Sequence, residues 1–273
     1  SGATQLKTLE RRNMELNESL LVQNYGRVYV KRYFTEQSKA EVTSYVKMIR
    51  DAYKAKLSKL DWMSPGTKRA ALQKLDALDI YVAEPGVWPK YIDAYTFVRP
   101  EKGGTLIDNV LQMNRVMNKV EMERLGKPVI KGLWEGFSSQ TVNAFYTPMS
   151  NSINFPTGML MAPFFDPKRD RETNFGGIGS IIGHEITHSF DSGGAQYDAQ
   201  GRLRNWWTPQ DYAAFKERQG KVIAFYSSYA MANGTKMNGA ATLTENIADL
   251  GSISCLSGII GQDKAGLRRM YQN

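Results

Sequence analysis

The stretch "IIGHEITHSF", residues 181–190, carries both histidines of a 273-residue chain. On an α-helix, residues four apart stand one above the other on the same face. His184 and His188 would therefore aim two imidazoles at one point. Glu185 lies ~100° round the helix from His184, close to that point without competing for it. In this H-E-x-x-H pattern two histidines bind zinc and the glutamate handles the proton of the attacking water. Ile178, Ile181, Ile182 and Ile186 supply an apolar side able to hold such a helix rigidly. The plain alternative is two surface histidines sharing a helix by accident; the helical context, and the lack of any other histidine, favour the metal.

A hydrolytic zinc site takes three protein ligands and keeps a fourth position open. A metzincin pattern would require glycine at 191 and histidine at 194, where the chain has Asp191 and Gly194. A glutamate some twenty residues downstream would fall near Trp207 or Thr208, and neither can ligate. Only Glu217 and Glu245 follow the motif. Glu217 sits in "AAFKERQG" with Lys221 one turn on, which reads as a solvated helix face. Glu245 opens "ENIAD", with Asp249 four residues later on the same face, placed to orient a ligand imidazole through its second nitrogen. Two competing readings stay open. Thr242-Leu-Thr-Glu245 also matches a capping box, and Asp249 could simply complement the helix dipole.

The rest of the composition narrows the class. The chain is long enough for one large domain, or for one and a half smaller ones. Lys and Arg total 35 against 27 Asp and Glu, a net charge of +8. The basic residues are interspersed with acids and come with no reader motif, so nucleic acid is not an expected partner. No apolar run approaches the ~20 residues of a membrane span, so no transmembrane segment is expected, and residue 1 does not open a signal peptide. The single Cys255 allows no internal disulfide. That suits a cytosolic protein, or a bacterial envelope, periplasmic or secreted protein that relies on its core.

Along the chain, Val42, Tyr45, Val46, Ile49, Tyr53, Leu57 and Leu60 recur at helical spacing. Ser64-Pro65 reads as an N-cap followed by proline in the first turn, opening a helix through Leu72, Leu75 and Leu78. "AEPGVWPKY" (83–91) reads as a linker, and a helix is predicted over 106–125. Around residue 139 the character changes. "QTVNAFYTPMSNSINFP" reads as a hairpin with a Pro-Met-Ser-Asn turn, 141–147 forming an exposed strand. A loop "APFFDPKRDRET", the histidine helix, a Gly-rich loop, a helix capped by Thr208-Pro209 and a last clear helix near "TLTENIAD" complete the reading.

"VNAFY", "NFGGIGSIIGHEITHSFD" and "LTENIAD" together resemble the neprilysin-like zinc metallopeptidases, a family that includes neprilysin, the endothelin-converting enzymes and bacterial oligopeptidases. The likeness reaches back through "YVKRYFTEQSKAEV" and "LDWMSPGTKRAALQKLDAL". It implies an α+β, mainly helical fold: a thermolysin-like zincin catalytic domain with part of a helical lid domain. The implied division is 1–82 lid, 83–91 linker and 92–273 catalytic domain. It also implies one Zn2+ per chain on His184, His188 and Glu245, with Glu185 activating water and Asp249 supporting His184. Short peptide substrates would lie along Asn143 and Ala144; from the residues alone, Asn143 could equally cap a hairpin. Met159, Phe164 and Ile181 would wall an apolar pocket that favours cleavage before hydrophobic residues. Family members continue past "ENIAD" with a transition-state-stabilising histidine and a substrate-binding arginine, and Arg268 and Arg269 do not sit in that motif. The sequence thus reads as part of a longer peptidase, whose missing N- and C-terminal segments are candidate partners. The lack of the animal enzymes' disulfides favours a bacterial source. Two other readings remain: a zinc-binding segment with little activity, and a non-catalytic peptide-binding module.

Overall fold

A computed structural model describes residues 5–134 and 136–272; the outermost bounds of the expected domains, residues 1 and 273, lie outside it. The chain is mainly helical with one small sheet, an α+β fold. Helices α1 (Leu9–Leu20), α2 (Val22–Tyr33), α3 (Glu36–Ser58) and α4 (Pro65–Asp76) come first. Thr35 caps α3 by accepting from the Ser38 amide, and Ser64 caps α4 with Pro65 in its first turn. The second is the start signal read in the sequence.

The helix predicted through Leu78 ends two residues earlier, and strand β1 (Asp79–Ala83) follows, which the sequence reading does not contain. Ile80, Tyr81 and Val82 are β-formers, and their partner lies some seventy residues away, beyond the reach of local periodicity. Helix α5 (Leu106–Met122) comes next, then the hairpin of β2 (Phe145–Thr147) and β3 (Ser152–Pro156). Residues 141–144, expected as strand, are irregular and follow a turn closed by the Thr141 amide donating to the Ser138 carbonyl. The sheet order is β1-β3-β2, parallel between β1 and β3 and antiparallel between β3 and β2, so β2 is an edge.

Helix α6 (Arg171–Asn174) runs through a π-turn (Phe175–Gly179) into α7 (Ser180–His188), the histidine helix. Then come α8 (Pro209–Ser227), α9 (Leu243–Ile260) and α10 (Lys264–Tyr271), the last absent from the sequence reading. One core cluster joins the two ends of the chain. Val42, Val46 and Ile49 of α3, Leu75 of α4, Ile153 and Phe155 of β3, Ile178, Ile182 and Ile186, and Leu256 of α9 are all fully buried within it. No described helix is long and apolar enough to cross a membrane.

Two glycines set the spacing that matters most. A Cβ on Gly183 of α7 would meet Ser252 Oγ at 2.4 Å and its Cα at 3.0 Å. A Cβ on Gly251 of α9 would meet Thr187 Cγ2 and Oγ1 at 2.5 Å. Each helix thus offers a glycine where the other comes close. Tyr53 of α3 braces the crossing: its hydroxyl donates to the Gly183 carbonyl (3.1 Å) and bonds Thr187 Oγ1.

Candidate metal centre

The close crossing of α7 and α9 brings three donors together. His184 and His188 stand edge to face, with ring centroids 4.5 Å apart and planes at 85°. Their Nε2 atoms are 2.9 Å apart. Glu245 Oε2, from the first turn of α9, lies 3.2 Å from the first and 3.7 Å from the second. The capping box that competed for Glu245 does not form: Thr242 makes no side-chain cap bond.

Each imidazole is tied on its far side to a carboxylate. His184 Nδ1 is 2.8 Å from Asp249 Oδ1, and His188 Nδ1 is 2.6 Å from Asp191 Oδ2. An ionised carboxylate only accepts, so each Nδ1 carries the proton and a neutral ring turns its Nε2 lone pair inward. Two lone pairs and a carboxylate oxygen at these separations repel unless a cation or a proton sits among them. Tetrahedral zinc with ligands at ~2.0–2.1 Å would space its donors by roughly 3.3 Å. The residues present fit the ion.

Glu185 faces the same point from within the protein. It is 5% exposed, and its Oε2 is buried with no hydrogen-bond partner among the described residues. Burial pushes its carboxyl up to about 7; His188 and His184 pull the other way, and Glu245 reinforces the rise. The Tyr146 amide on edge strand β2 donates to it. At His188, burial favours the neutral ring, but the Asp191 hydrogen bond and nearby carboxylates outweigh it and raise the pKa.

Two cavities of about 720 and 550 Å3 share Asn143, Ala144, His184 and Glu185. The larger continues past His188, Tyr197 and Leu203. The smaller runs between Met159, Ile181, Asp249, Ile253 and Met270. Met159 and Ile181 both line the smaller cavity. Phe164 lines neither: its side chain packs half-buried against the core, while its carbonyl accepts from the Ile178 amide at 2.7 Å. That bond ties the 160s loop to the π-turn. Asn143 is exposed beside the cleft, and its Oδ1 accepts from the Ala144 amide at 2.9 Å.

Sequence profiles described as Peptidase family M13 match residues 1–85 and 143–257. The chain belongs to peptidase family M13. The neutral endopeptidase of Lactococcus lactis is 36% identical over 254 residues, covering 93% of this chain and 40% of that protein. An endothelin-converting enzyme homolog of Locusta migratoria is 39% identical over 230 residues, 84% of this chain and 31% of that one. Among solved structures, the zinc metalloprotease Zmp1 of Mycobacterium tuberculosis, in complex with an inhibitor, superposes with a TM-score of 0.84. It shares 34% identity and covers 99% of this chain and 42% of that one. The chain thus spans between about a third and two fifths of the length of these relatives.

This M13 chain places two more residues at the centre than its sequence suggested. Asp191, the residue that breaks a metzincin pattern, is 4% exposed and sits three positions after His188; that spacing was the available signal. Lys74 of α4 is 1% exposed, and its ammonium donates to the carbonyls of Ser189 (2.9 Å), Gly194 (2.6 Å) and Tyr197 (2.7 Å). Burial draws it down to about 7, against the pull of Asp191 and Asp198. No local pattern marks a lysine in an amphipathic helix as buried.

Proposed function

We propose that the protein containing this chain is a zinc endopeptidase or oligopeptidase acting on short peptides, with one zinc held by His184, His188 and Glu245. The observation that carries this reading is the meeting of three lone-pair donors on two crossing helices beside a buried, half-partnered carboxylate. When bound, zinc supplies Lewis acidity toward the scissile carbonyl and the attacking water. Asp249 and Asp191 fix the tautomers of His184 and His188, keeping Nε2 free to ligate. Glu185, held by the Tyr146 amide, accepts the proton of the attacking water and passes it to the leaving amine. Asn143 and Ala144, at the start of edge strand β2, hold the substrate backbone, as an exposed sheet edge can. Met159 and Ile181 make the adjoining cavity apolar and favour cleavage before a hydrophobic residue.

The proposal divides the chain into a helical lid part (1–82), a linker (83–91) and a catalytic part (92–273). The profile matches support that division, while the shared core binds the parts closely.

Zinc analysis together with cleavage of fluorogenic peptides tests the reading, with Glu185→Gln as control. One equivalent of zinc and turnover that the substitution abolishes are expected. Zinc without turnover would reduce this chain to a metal-binding segment of the enzyme. Neither zinc nor turnover would leave a peptide-binding module and defeat the proposal.

A further inference from the structure

Lys74 belongs to α4, far in sequence from every residue of the metal centre, yet its ammonium is sealed against the turn that follows the histidine helix. A lysine ammonium has three donors, and here each has its own backbone carbonyl. Among the described residues no carboxylate forms an ion pair with it. A buried cation is costly. One matched wholly to carbonyls of residues 189, 194 and 197 holds a particular backbone shape that a hydrocarbon side chain could not select.

That backbone encloses Asp191. Asp191 Oδ1 accepts from the Gly193 and Gly194 amides, both at 2.7 Å, and Oδ2 meets His188 Nδ1 at 2.6 Å. Gly194 is gripped at both ends, its amide by Asp191 and its carbonyl by Lys74. A Cβ there would meet the His188 carbonyl at 1.8 Å, so this turn is wound directly onto the ligand's own backbone. Asn151 holds Lys74 from behind, its Nδ2 donating to the Lys74 carbonyl at 3.0 Å and to that of Ala199 at 3.3 Å.

We infer that Lys74 is a positioning residue for the metal centre, its ammonium fixing the 189–197 turn so that Asp191 orients His188. The inference rests on the zinc reading for its functional meaning, but its geometry can be tested without metal. Because the chain has only two histidines, two-bond 1H–15N spectra resolve the His188 ring directly. In metal-free protein, at a pH high enough to leave His188 neutral, wild type should keep the ring proton on Nδ1, facing Asp191, as a single tautomer. Lys74→Met should convert it to an exchanging mixture resembling that of Asp191→Asn, with His184 unchanged. Chelator competition should then show zinc affinity lower by about 10–100-fold. Combining Lys74→Met with Asp191→Asn should add less than about threefold, since both act through one imidazole. If Lys74→Met does not fold, Lys74→Gln, which keeps two N–H donors, goes through the same measurements.

A folded variant with an unaltered His188 spectrum would overturn the inference. So would one that melts lower yet binds zinc like wild type, or one whose effect multiplies fully with Asp191→Asn. Wild type that binds no zinc defeats the zinc reading instead, and the ring spectra still decide whether Lys74 positions His188.

Discussion

Glu185→Gln separates the cost of burying a carboxylate from its use. The side chain is 5% exposed and one of its oxygens has no partner among the described residues, so the charged form is poorly solvated. Its pKa is about 7 in the folded state against an ordinary 4.5. Below about pH 4.5 the group is protonated both folded and unfolded, and the mismatch costs nothing. As pH rises to about 7 the unfolded chain gives up its proton while the folded chain keeps it. Folded stability is lost through that window at ~1.4 kcal/mol per pH unit, roughly 3 kcal/mol in all. Glutamine occupies the same volume and does not ionise.

Metal-free Glu185→Gln should therefore match wild type near pH 4 and exceed it by up to about 3 kcal/mol at pH 8. Urea unfolding of chelator-treated protein at the two pH values measures the difference. Zinc-loaded Glu185→Gln should keep its metal and lose activity by about 10²–10⁴-fold. A stability difference that does not change between pH 4 and pH 8 would refute the burial argument, and retained turnover would refute the role as base.

Three further outcomes follow from the same geometry. Gly251→Val puts carbon where Thr187 already stands 2.5 Å from a modest Cβ; overpacking of about 1–3 kcal/mol or more should appear as a lower melting temperature, with weaker zinc binding as α9 moves off α7. Asp249→Asn and Asp191→Asn should each weaken zinc by about 10–100-fold by chelator competition, and only the second, whose carboxylate is buried, should also melt lower without metal. Glu217→Ala removes an exposed carboxylate paired with Lys221 at 2.8 Å and should leave zinc content unchanged by metal analysis, distinguishing the two glutamates that follow the motif.

What could be read in the sequence was local. The i, i+4 histidines needed only helix geometry, and helix starts at Ser64 and Thr208 needed only cap chemistry. Elimination led to Glu245 because so few glutamates follow the motif. What escaped depends on partners distant in the chain. Strand β1 is stabilised by β3, Lys74 is buried by a turn more than a hundred residues away, and Phe164 packs against a core built from several elements. Asp191 reads in the sequence only as a failed metzincin glycine; three positions after a histidine on a helix is also where a carboxylate can reach that histidine's Nδ1.

The least buried members of the site show where its precision comes from. Glu245 and Asp249 have side chains 61% and 68% exposed, so packing around them cannot hold them in place. Their positions are inherited from α9, whose distance from α7 is set by glycine on each helix and by the Tyr53 hydroxyl at the crossing. Tyr53 lies on α3, which shares one core with α7, α9 and the sheet, and Lys74 on α4 grips the turn beyond His188. Among the described residues, the first eighty contribute no donor to the proposed metal centre, yet they brace the middle and the C-terminal turn of the helix that contributes two. Residues 92–273 expressed alone should keep all three proposed ligands and lose the contacts that make them converge, which a lower zinc affinity than that of the whole chain would show.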